Sequence, residues 1–596
     1  MMRLFSFRVE GFRSLANIEI PPCDYTILIG RNNSGKSAVL LALKLLFEGT
    51  TRDLAEDDFY AQEEQRADQV VLEAILDGVS EYLPLCNEKH RTKIANCVVD
   101  GRLRIRRMGS RSPLEFGKLE LWQPDKGDFG LPTGIESALK QLLPEVILIE
   151  AFKDPTEEAQ AKSSATFGKL LKQIVEQVSG KLELEVQNAL NQAARKFNVI
   201  EAEGGVLDER PEELRRVEQR IRQHMQAVFE EADVRLRFRL PEVSDLMGSA
   251  TVELKDRGPW TPLEGKGQGF QRALYLALLR ALAEELRATE GDVHRPFLLL
   301  FEEPEAFLHP ALQREMGDVL ESISQGNQVI IATHSPLLVT PQRIQNVLIL
   351  RQVPSLDTKL HATCCHVPDP DSLPDPDDKH LVSLLKFSSS AEFLFADCVL
   401  VVEGPSDRVL LEASWSALGK SLRPKGQPLA LAVVEAGSKA VVPVWTRYLR
   451  AMGFSTQGLV DLDFLWDGAG RCLGSDPDIS QFAAEFWRLT EENGVSEVVD
   501  GGHRIPAGKK TDAFSLILHD LGQQAQTLRQ RLQSEHGIWV LGEGEMETYF
   551  GLSRSSKGHC ATVSQRVRNG EMQVHPEIET VLRWAVSSGS QGESAG

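Results

Sequence analysis

The sequence is poor in the features that mark secreted, zinc-binding and membrane proteins. Its eight cysteines are scattered over 596 residues without a C-x-x-C pair, which argues against a disulfide framework and against a zinc site. No apolar run is long enough to cross a bilayer. The N-terminus alternates like a strand and has no apolar signal-peptide region. We therefore expect a cytoplasmic protein.

Positive charge is also scarce. Lys and Arg number 66 against 86 Asp and Glu, and the resulting net charge of −20 argues against a surface that binds nucleic acid everywhere. A local basic groove stays compatible with this balance. Arginines do cluster at two places: Arg102, Arg104, Arg106, Arg107 and Arg111, and Arg235, Arg237 and Arg239. For both clusters, a solvated strand face is favoured over a DNA contact.

The chain is too long for one core, and changes in patterning predict where it divides. Residues 1–155 and 234–383 carry strand patterns, whereas residues 156–233 are polar with apolar residues at helical spacing. We predict a first domain interrupted by a helical insertion at 156–233, and a second domain at 384–596. The insertion could fold on its own core or serve as a dimerisation arm. Residues 350–376, rich in Pro and Asp, are interpreted as a linker or an edge excursion.

An apolar strand, a glycine-rich loop and a Leu-rich helix follow one another near the N-terminus. The strand covers residues 25–29, the helix covers 38–47, and the loop between them is Gly30-Arg31-Asn32-Asn33-Ser34-Gly35-Lys36-Ser37, which matches G-x-x-x-x-G-K-S. The loop's backbone N–H groups and the helix N-terminus present partial positive charge to a polyphosphate. We expect Lys36 to reach the β/γ-phosphates and the Ser37 hydroxyl to bind Mg²⁺.

Two later strands end in side chains that a nucleotide hydrolase places beside its phosphates. The strand at 297–301 leads into Glu302 and Glu303, and the strand at 328–333 leads into His334. We expect Glu302 to hold Mg²⁺ through water, Glu303 to polarise the attacking water and His334 to sense the γ-phosphate. Upstream of both strands, the glycine-rich segment 265–272 opens a helix and is a second phosphate-binding candidate; its key residues are Gly267 and Gln268.

In this order, the loop, the glycine-rich segment, the paired glutamates and the histidine resemble the ABC-type ATPases of the SMC and Rad50 kind. The resemblance covers residues 1 to about 350 and implies ATP binding. Two departures are present. Segment 265–272 has no Ser where an LSGGQ signature has one, and Glu302 replaces the more usual Asp. Both departures bear on the rate of hydrolysis and not on nucleotide binding.

In the second domain, three apolar strands each end in acidic residues. They are residues 399–402 before Glu403, with Asp407 one helical turn further, residues 429–434 before Glu435, and residues 458–460 before Asp461 and Asp463. Carboxylates gathered at one sheet edge repel unless cations lie between them, and hard oxygen donors favour Mg²⁺ or Mn²⁺. Such a group suits metal-assisted phosphodiester chemistry.

The spacing E-G-x-x-D followed by D-x-D resembles a Toprim domain, which topoisomerases, primases and certain nucleases share. An ABC-type ATPase with a helical insert, followed by a Toprim domain, is the arrangement of the OLD (overcoming lysogenization defect) family nucleases. The nuclease subunit of the Gabija anti-phage system belongs to that family. The resemblance covers nearly the whole chain and predicts an α/β fold of this arrangement.

This resemblance implies an ATP-binding DNA endonuclease in phage defence or DNA repair. It implies two divalent metals, Mg²⁺ or Mn²⁺, in the Toprim site, held by Glu403, Asp407, Asp461 and Asp463, and a further metal with ATP. It also implies a homodimer or higher homo-oligomer formed through the insert, with a UvrD-like helicase as a partner.

Family members also place an acid and a lysine downstream. Glu547, after the strand at 538–541, is the best match for the acid and is predicted to bind metal. Lys557 is our choice for the lysine, with Lys509 and Lys510 as rivals. This lysine would neutralise charge on the pentavalent phosphate.

Two functions from different classes stay open on the sequence. The first is a nucleotide-regulated DNA endonuclease, and the second is an SMC-like ATPase that clamps DNA while its Toprim domain is an inactive scaffold. The intact carboxylate set favours the first. A topoisomerase is disfavoured, because the chain has only six Tyr and none lies in an evident winged-helix module.

Overall fold

The computed structural model describes residues 2–50, 52–62, 65–150, 198–202, 205–226, 296–354, 361–366, 378–380, 391–422, 429–470, 477–499, 502–552 and 559–587, with a few separate residues and short pieces between 188 and 281 and at 382–383. The chain divides into two compact units. The first comprises Met1–Thr26 and Ser37–Thr333, and the second comprises Ile27–Lys36 and His334–Gly596. None of the helices in the described ranges has the length and hydropathy that a bilayer crossing needs.

The first unit contains an eight-stranded antiparallel sheet. Its main path runs Asp128–Gly130, Glu120–Gln123, Arg102–Ser110, Gln69–Asp77, Arg3–Phe12, Leu15–Ile20, and the short strands Val98–Val99 and Glu115–Phe116 pair with Arg102–Ser110. One face is buried because apolar residues alternate along the strands; Leu103 and Ile105 are fully buried between exposed or half-buried arginines.

The arginines of the strand Arg102–Ser110 take part in structural ion pairs. Arg104 pairs with Glu73 at 2.6 Å and Arg106 with Glu120 at 2.9 Å. Arg107 differs from the predicted solvated face, because it lies on the buried side and donates to the Gly49 carbonyl. Burial lowers the pKa of its guanidinium to about 10. The cluster at 235–239 lies outside the described residues.

Three parallel strands of the first unit lie side by side in the order Glu145–Ile149, Phe297–Glu302, Gln328–Ala332. They are almost wholly buried, as continuous apolar runs in parallel sheets usually are. The other α-helices and strand pairs in the described part of this unit are Lys36–Glu48, Glu88–Ala95, Glu136–Leu142, Glu212–Gln226 and Pro310–Ser324, with Ala61–Gln62/Gln65–Arg66, Ile200–Ala202/Gly205–Leu207 and Glu253–Leu254/Thr261–Pro262.

Most of the predicted insertion at 156–233 lies outside the described residues, so its role as a dimerisation arm stays a prediction. Its described part is the hairpin at 200–207 and the helix Glu212–Gln226. Arg210 joins these pieces, because its buried guanidinium bonds both Asp208 and Glu218 at 2.8 Å.

The second unit begins with the strand residues 27–30, which pair in parallel with Val347–Pro354. That strand pairs antiparallel with His361–His366. Residues 350–376 therefore begin with an edge hairpin, the second of the two interpretations of this Pro- and Asp-rich stretch.

A four-stranded parallel sheet carries the acidic residues of the second unit. Its strand order is Leu431–Glu435, Cys398–Val402, Ser455–Val460, Ile538–Val540. Because all four strands run the same way, their carboxyl ends meet at one edge. Among the residues that the structure describes in this unit, the α-helices are Pro405–Leu422, Val442–Ala451, Pro477–Glu492, Lys510–Asp520, Gly522–Arg531, Cys560–Arg568 and Pro576–Ser587, and a short hairpin pairs Glu497–Val499 with Gly502–Arg504.

The core of this sheet also fixes the loop that follows its last strand. Leu400 and Val402 pack with Leu410 and Leu411 of the first helix and with apolar residues of the last two helices. Glu577, on the last helix, accepts hydrogen bonds from the Gly542 N–H at 3.0 Å and from the Tyr549 hydroxyl at 2.7 Å. These bonds brace residues 542–549 beside the acidic edge.

Candidate active site

Three carboxylates from two neighbouring strand ends meet at the edge of the parallel sheet. Glu403 directly follows the strand Cys398–Val402, while Asp461 and Asp463 follow Ser455–Val460. One oxygen of each of these three side chains lies within 4.8 Å of the others. Asp461 caps a short 3-10 turn, Leu462–Leu465, that contains Asp463. Residues two apart already share a face on an extended strand, and the turn that begins where the strand ends still leaves an oxygen of Asp463 close to those of Asp461 and Glu403.

Backbone hydrogen bonds hold these carboxylates in place. The Asp461 N–H donates to Glu403 Oε1 at 3.0 Å, and the Met546 N–H donates to Asp461 Oδ1 at 2.9 Å. The two bonds thus link Glu403 to Asp461 and Asp461 to the segment that follows the strand Ile538–Val540. Such fixation preorganises the oxygens, which do not have to be ordered when a ligand binds.

Burial and mutual repulsion make two of these carboxyls hard to ionise. Burial raises the pKa of Glu403 to about 7; Asp463 and Asp407 add to the rise, while the Asp461 N–H opposes it. Burial also raises the pKa of Asp461 well above its usual range, and the charge of Glu403 is the next largest cause of this rise. Two buried acids that resist ionisation side by side form an environment that favours a bound cation.

Asp463 is held in the opposite way. Burial acts to raise its pKa, but Lys439 and Lys510 outweigh that effect and keep the pKa of Asp463 below its ordinary value. Lys439 Nζ lies 2.9 Å and Lys510 Nζ lies 2.5 Å from the same oxygen, Oδ2. The Asp463 side chain is only 5% exposed, so this charge cluster lies largely out of water. Lys510 also donates to Glu545 at 2.7 Å.

The other predicted residues of this site take separate positions. Asp407 lies in the first turn of the helix Pro405–Leu422, where its carboxylate accepts from the Gly404 N–H at 3.0 Å. Glu547 lies in the buried turn Met546–Phe550 and is not one of the three mutually close acids. Lys557 lies outside the described residues. Of its rivals, Lys509 bonds the Gly494 carbonyl, whereas Lys510 points into the site.

Two residues of this cluster were not predicted as site residues. Lys439 follows the strand Leu431–Glu435, and Glu545 precedes the turn that contains Glu547. The sequence offers one signal for Lys439, which is its position. This lysine follows the end of a strand whose neighbour in the sheet ends in acidic residues. Glu545 and Glu547 are equivalent by spacing, and only the fold separates them.

The acidic edge fits a divalent cation. Its donors are all carboxylate oxygens, the type that Mg²⁺ and Mn²⁺ prefer, and they already lie within the span of one coordination sphere or an adjacent pair. One oxygen of Asp463, Oδ1, is buried without a hydrogen-bond partner among the described residues. Glu403 and Asp461 would lose their shared repulsion on binding, so the fit rests on charge as well as on donor type.

The phosphate loop has the geometry that the motif predicts. Gly30 and Gly35 have φ of +153° and +96°, and a Cβ on Gly30 would lie 2.3 Å from the Leu350 carbonyl oxygen. Asn33, at φ +65°, is also left-handed. Lys36 folds back over the loop, donating to the carbonyls of Gly30 at 2.9 Å and Arg31 at 3.1 Å. Asn32 and the buried Ser34 complete the loop.

In the first unit, the two predicted Mg²⁺ ligands of the nucleotide site are in contact. The Ser37 hydroxyl donates directly to a carboxylate oxygen of Glu302. Glu303, the predicted polarising residue, has φ of +47°, an uncommon conformation for a residue other than glycine, and its N–H donates to the Ala332 carbonyl at 2.8 Å. Such backbone outliers cluster at functional sites.

His334, which belongs to the second unit, is half-buried. Burial, and then the charge of Lys36, lowers the pKa of its imidazole, so the ring is neutral at pH 7. The glycine-rich segment with Gly267 and Gln268 lies outside the described residues, and its role stays a prediction.

Comparisons with known families match both parts of the chain. A model described as an AAA ATPase domain matches residues 2–81 and 118–339. A second model, described as the TOPRIM domain of overcoming-lysogenization-defect-protein-like proteins, matches residues 394–463, which include Glu403, Asp461 and Asp463.

Two curated relatives are similar along most of their length. The Old nuclease of Escherichia phage P2 is 24% identical over 613 residues, covering 98% of this chain and 100% of that protein. The OLD nuclease of Thermus scotoductus is 21% identical over 463 residues, covering 75% of this chain and 79% of that protein.

Among solved structures, an SMC head bound to the C-winged helix domain of ScpA matches with a TM-score of 0.38 and 16% identity, covering 61% of this chain and 98% of that one. The predicted fold class, an ATPase followed by a C-terminal Toprim domain in a mixed α/β chain, is confirmed by the two family models. The chain therefore belongs to the OLD family of nucleases that carry an ATPase domain.

Proposed function

We propose that this protein is a metal-dependent DNA endonuclease whose cutting is regulated by ATP. The observation that carries the proposal is the group Glu403, Asp461 and Asp463, with oxygens within 4.8 Å of one another at the carboxyl edge of a Toprim sheet. The proposed cofactors are ATP with one metal, and two Mg²⁺ or Mn²⁺ ions at the acidic edge, with Asp407 and Glu547 as further ligands.

Each residue of the edge has a distinct part in this proposal. Glu403 and Asp461 hold the cation, because burial and mutual repulsion raise their pKa values and a bound positive charge favours their ionised forms. When bound, divalent cations supply an activated water and stabilise the leaving 3′ oxygen. Lys510, whose Nζ lies 2.5 Å from Asp463, is our candidate for neutralising charge on the phosphate under attack, with Lys557, which lies outside the described residues, as the alternative. Lys439, which contacts the same Asp463 oxygen, is a further candidate for this role.

The wider proposal extends to assembly and context. We infer an ATPase domain at 1–155 and 234–383, a dimerising insertion at 156–233 and a Toprim domain at 384–596. We also propose a homodimer or higher homo-oligomer, a UvrD-like helicase as a partner, and a role in phage defence or DNA repair, as the resemblance to the OLD family implies. Light scattering on the full chain tests the oligomeric state directly.

A closed-circular plasmid tests the activity, because only an endonuclease can cut DNA without ends. We expect nicked or linear product with Mg²⁺ or Mn²⁺ and no product in EDTA. Cutting of linear DNA from its ends alone, with the circle left intact, would replace the endonuclease by an exonuclease. Binding of DNA without any cutting would favour the ATPase clamp.

Lys510→Met should slow DNA cutting by about 10²–10³-fold, the cost of removing one group that stabilises developing charge. The variant removes the ammonium group that contacts Asp463 and Glu545 but keeps most of the side-chain volume. Single-turnover cleavage of a labelled duplex measures the chemical step.

The matched control is Lys509→Met, which removes the neighbouring lysine that bonds only the Gly494 carbonyl among its described contacts. It should cut at nearly the parent rate. Lys510→Arg should recover part of the activity, since the positive charge is restored with different geometry. Equal rates for Lys510→Met and Lys509→Met would remove Lys510 from the reaction and return the choice to Lys557.

A further inference from the structure

The phosphate loop is tied to the segment that leads into the acidic edge. Arg31, the second residue of the loop, forms a bidentate ion pair with Asp397, at 3.0 Å to Oδ1 and 2.9 Å to Oδ2. Asp397 directly precedes the strand Cys398–Val402, which ends at Glu403. Both partners belong to the second compact unit, which includes residues 27–36 and therefore most of the phosphate loop. We call residues 391–397 the connector.

A second contact reaches the connector from the γ-phosphate sensor. The ring of His334 lies 5.7 Å, centroid to centroid, from the ring of Phe395 in the connector. Its neighbour Phe393 is fully buried and packs edge-on against Phe454, also at 5.7 Å. Phe454 directly precedes the strand Ser455–Val460, which ends at Asp461. The connector thus touches the start of both strands whose ends carry the cation-binding acids.

The connector is also fixed to the edge strand of the same sheet. Asp397 Oδ2 accepts from the Ala430 N–H at 2.7 Å, and the Asp397 N–H donates to the Ala430 carbonyl at 2.9 Å. The Asp397 carboxylate therefore joins the phosphate loop to the start of the strands Cys398–Val402 and Leu431–Glu435. A shift of Asp397 would be passed along buried, hydrogen-bonded strands that move as rigid pieces.

Nucleotide binding acts on the loop at this point. Lys36 Nζ bonds the carbonyls of Gly30 and Arg31. These bonds use two of the three N–H donors of its ammonium group, so a β- or γ-phosphate bound to Lys36 acts on the residue whose side chain holds Asp397. His334 contacts Phe395 of the connector. Of the two groups predicted to meet the phosphates, His334 therefore touches the connector directly, and Lys36 reaches it through Arg31.

We propose that the connector transmits the nucleotide state of the phosphate loop to the Toprim site, through the Arg31–Asp397 ion pair and the His334–Phe395 contact. The test of this inference by DNA cutting rests on the proposed function, whereas its test by hydrogen exchange does not. The coupling is reciprocal in binding: a nucleotide that shifts the connector changes the affinity of the acidic edge for metal, and metal changes the affinity for nucleotide.

The test compares cutting of plasmid with and without the non-hydrolysable analogue AMP-PNP. In the parent protein we expect the analogue to change the rate by about 5–150-fold, the usual range of coupling between two sites. In Asp397→Asn, which touches neither phosphates nor metal, the rate without nucleotide should stay near the parent value and the ratio should fall towards one. Asp478→Asn, which breaks a comparable surface pair with Arg531 at 3.0 Å, should keep the parent ratio.

Exchanging the two charges tests whether the ion pair, and not either side chain alone, carries the nucleotide effect. The double variant Arg31→Asp with Asp397→Arg should recover part of the nucleotide effect that Asp397→Asn loses. The proposal is overturned if Asp397→Asn keeps the full ratio while its nucleotide affinity equals that of the parent. It is equally overturned if the parent cuts DNA at one rate in both nucleotide states.

Hydrogen exchange gives a readout that needs no cutting. On addition of AMP-PNP, amide exchange in peptides covering residues 391–403 should change in the parent and not in Asp397→Asn. If the parent cuts no DNA at all, the proposed function fails and exchange still decides on the connector. Unchanged exchange over 391–403 in nucleotide-saturated parent protein would overturn the connector by itself.

Discussion

Glu403→Gln is expected to lower the rate of DNA cutting by at least about 10³-fold while leaving ATP hydrolysis at the parent rate. The amide keeps the shape of the side chain and can still accept the Asp461 N–H bond that Glu403 Oε1 accepts at 3.0 Å. It cannot supply the negative charge that a cation needs. Loss of transition-state charge stabilisation at one site commonly costs 10²–10³-fold, and loss of the cation costs more. Cutting is measured with Mg²⁺ and with Mn²⁺.

Asp461→Asn should behave in the same way, because its carboxyl shares the same oxygen cluster. The control is Glu412→Gln, on the helix that begins beside the site, whose carboxylate pairs with Arg408 at 2.7 Å. A surface pair of this kind contributes little, so its loss should leave cutting unchanged. Parent-level cutting by either Glu403→Gln or Asp461→Asn would contradict the nuclease assignment and favour the clamp.

Lys36→Ala is expected to remove most of the affinity for ATP. Lys36 is the lysine of the G-x-x-x-x-G-K-S motif, and it already lies over the loop through its bonds to Gly30 and Arg31. A hydrogen bond to a charged group contributes about 1.5–3 kcal/mol, which corresponds to roughly a ten- to hundredfold change in Kd for each bond lost. Calorimetric titration with ATP and Mg²⁺ measures the effect.

Glu303→Gln provides the contrast, because Glu303 is proposed to act on the attacking water and not on binding. This variant should bind ATP with the parent's affinity and fail to hydrolyse it. Equal ATP affinity in Lys36→Ala and the parent would contradict the assignment of the phosphate loop. Normal turnover in Glu303→Gln would transfer the polarising role to another residue.

The strands and the acids at their ends were predictable because both follow from short-range patterns. Continuous apolar runs such as 399–402 and 458–460 predict buried parallel strands, and the structure has strands at Cys398–Val402 and Ser455–Val460. Parallel strands bring their carboxyl ends to one edge, so Glu403 and Asp461 had to lie close together. The phosphate loop was predictable for the same reason, since motif, strand and helix are contiguous.

The lysines and the connector were not predictable, because their partners are distant in the chain. Lys510 meets Asp463 across 47 residues, and Arg31 meets Asp397 across 366. No local pattern ranks Lys510 above Lys509, since the choice depends on which way a helix start faces. Arg107 was also placed wrongly from the sequence alone. It directly follows an alternating set of arginines and lies on the buried face of the sheet.

The most direct test measures plasmid cutting and ATP hydrolysis in the same samples of parent protein, Glu403→Gln and Lys36→Ala, with Mn²⁺ present. We expect the parent to cut the plasmid, and Glu403→Gln to hydrolyse ATP as the parent does without cutting. Lys36→Ala should hydrolyse none. Cutting by Glu403→Gln at the parent rate would contradict the central claim that the carboxylate edge of the Toprim sheet carries out the DNA chemistry.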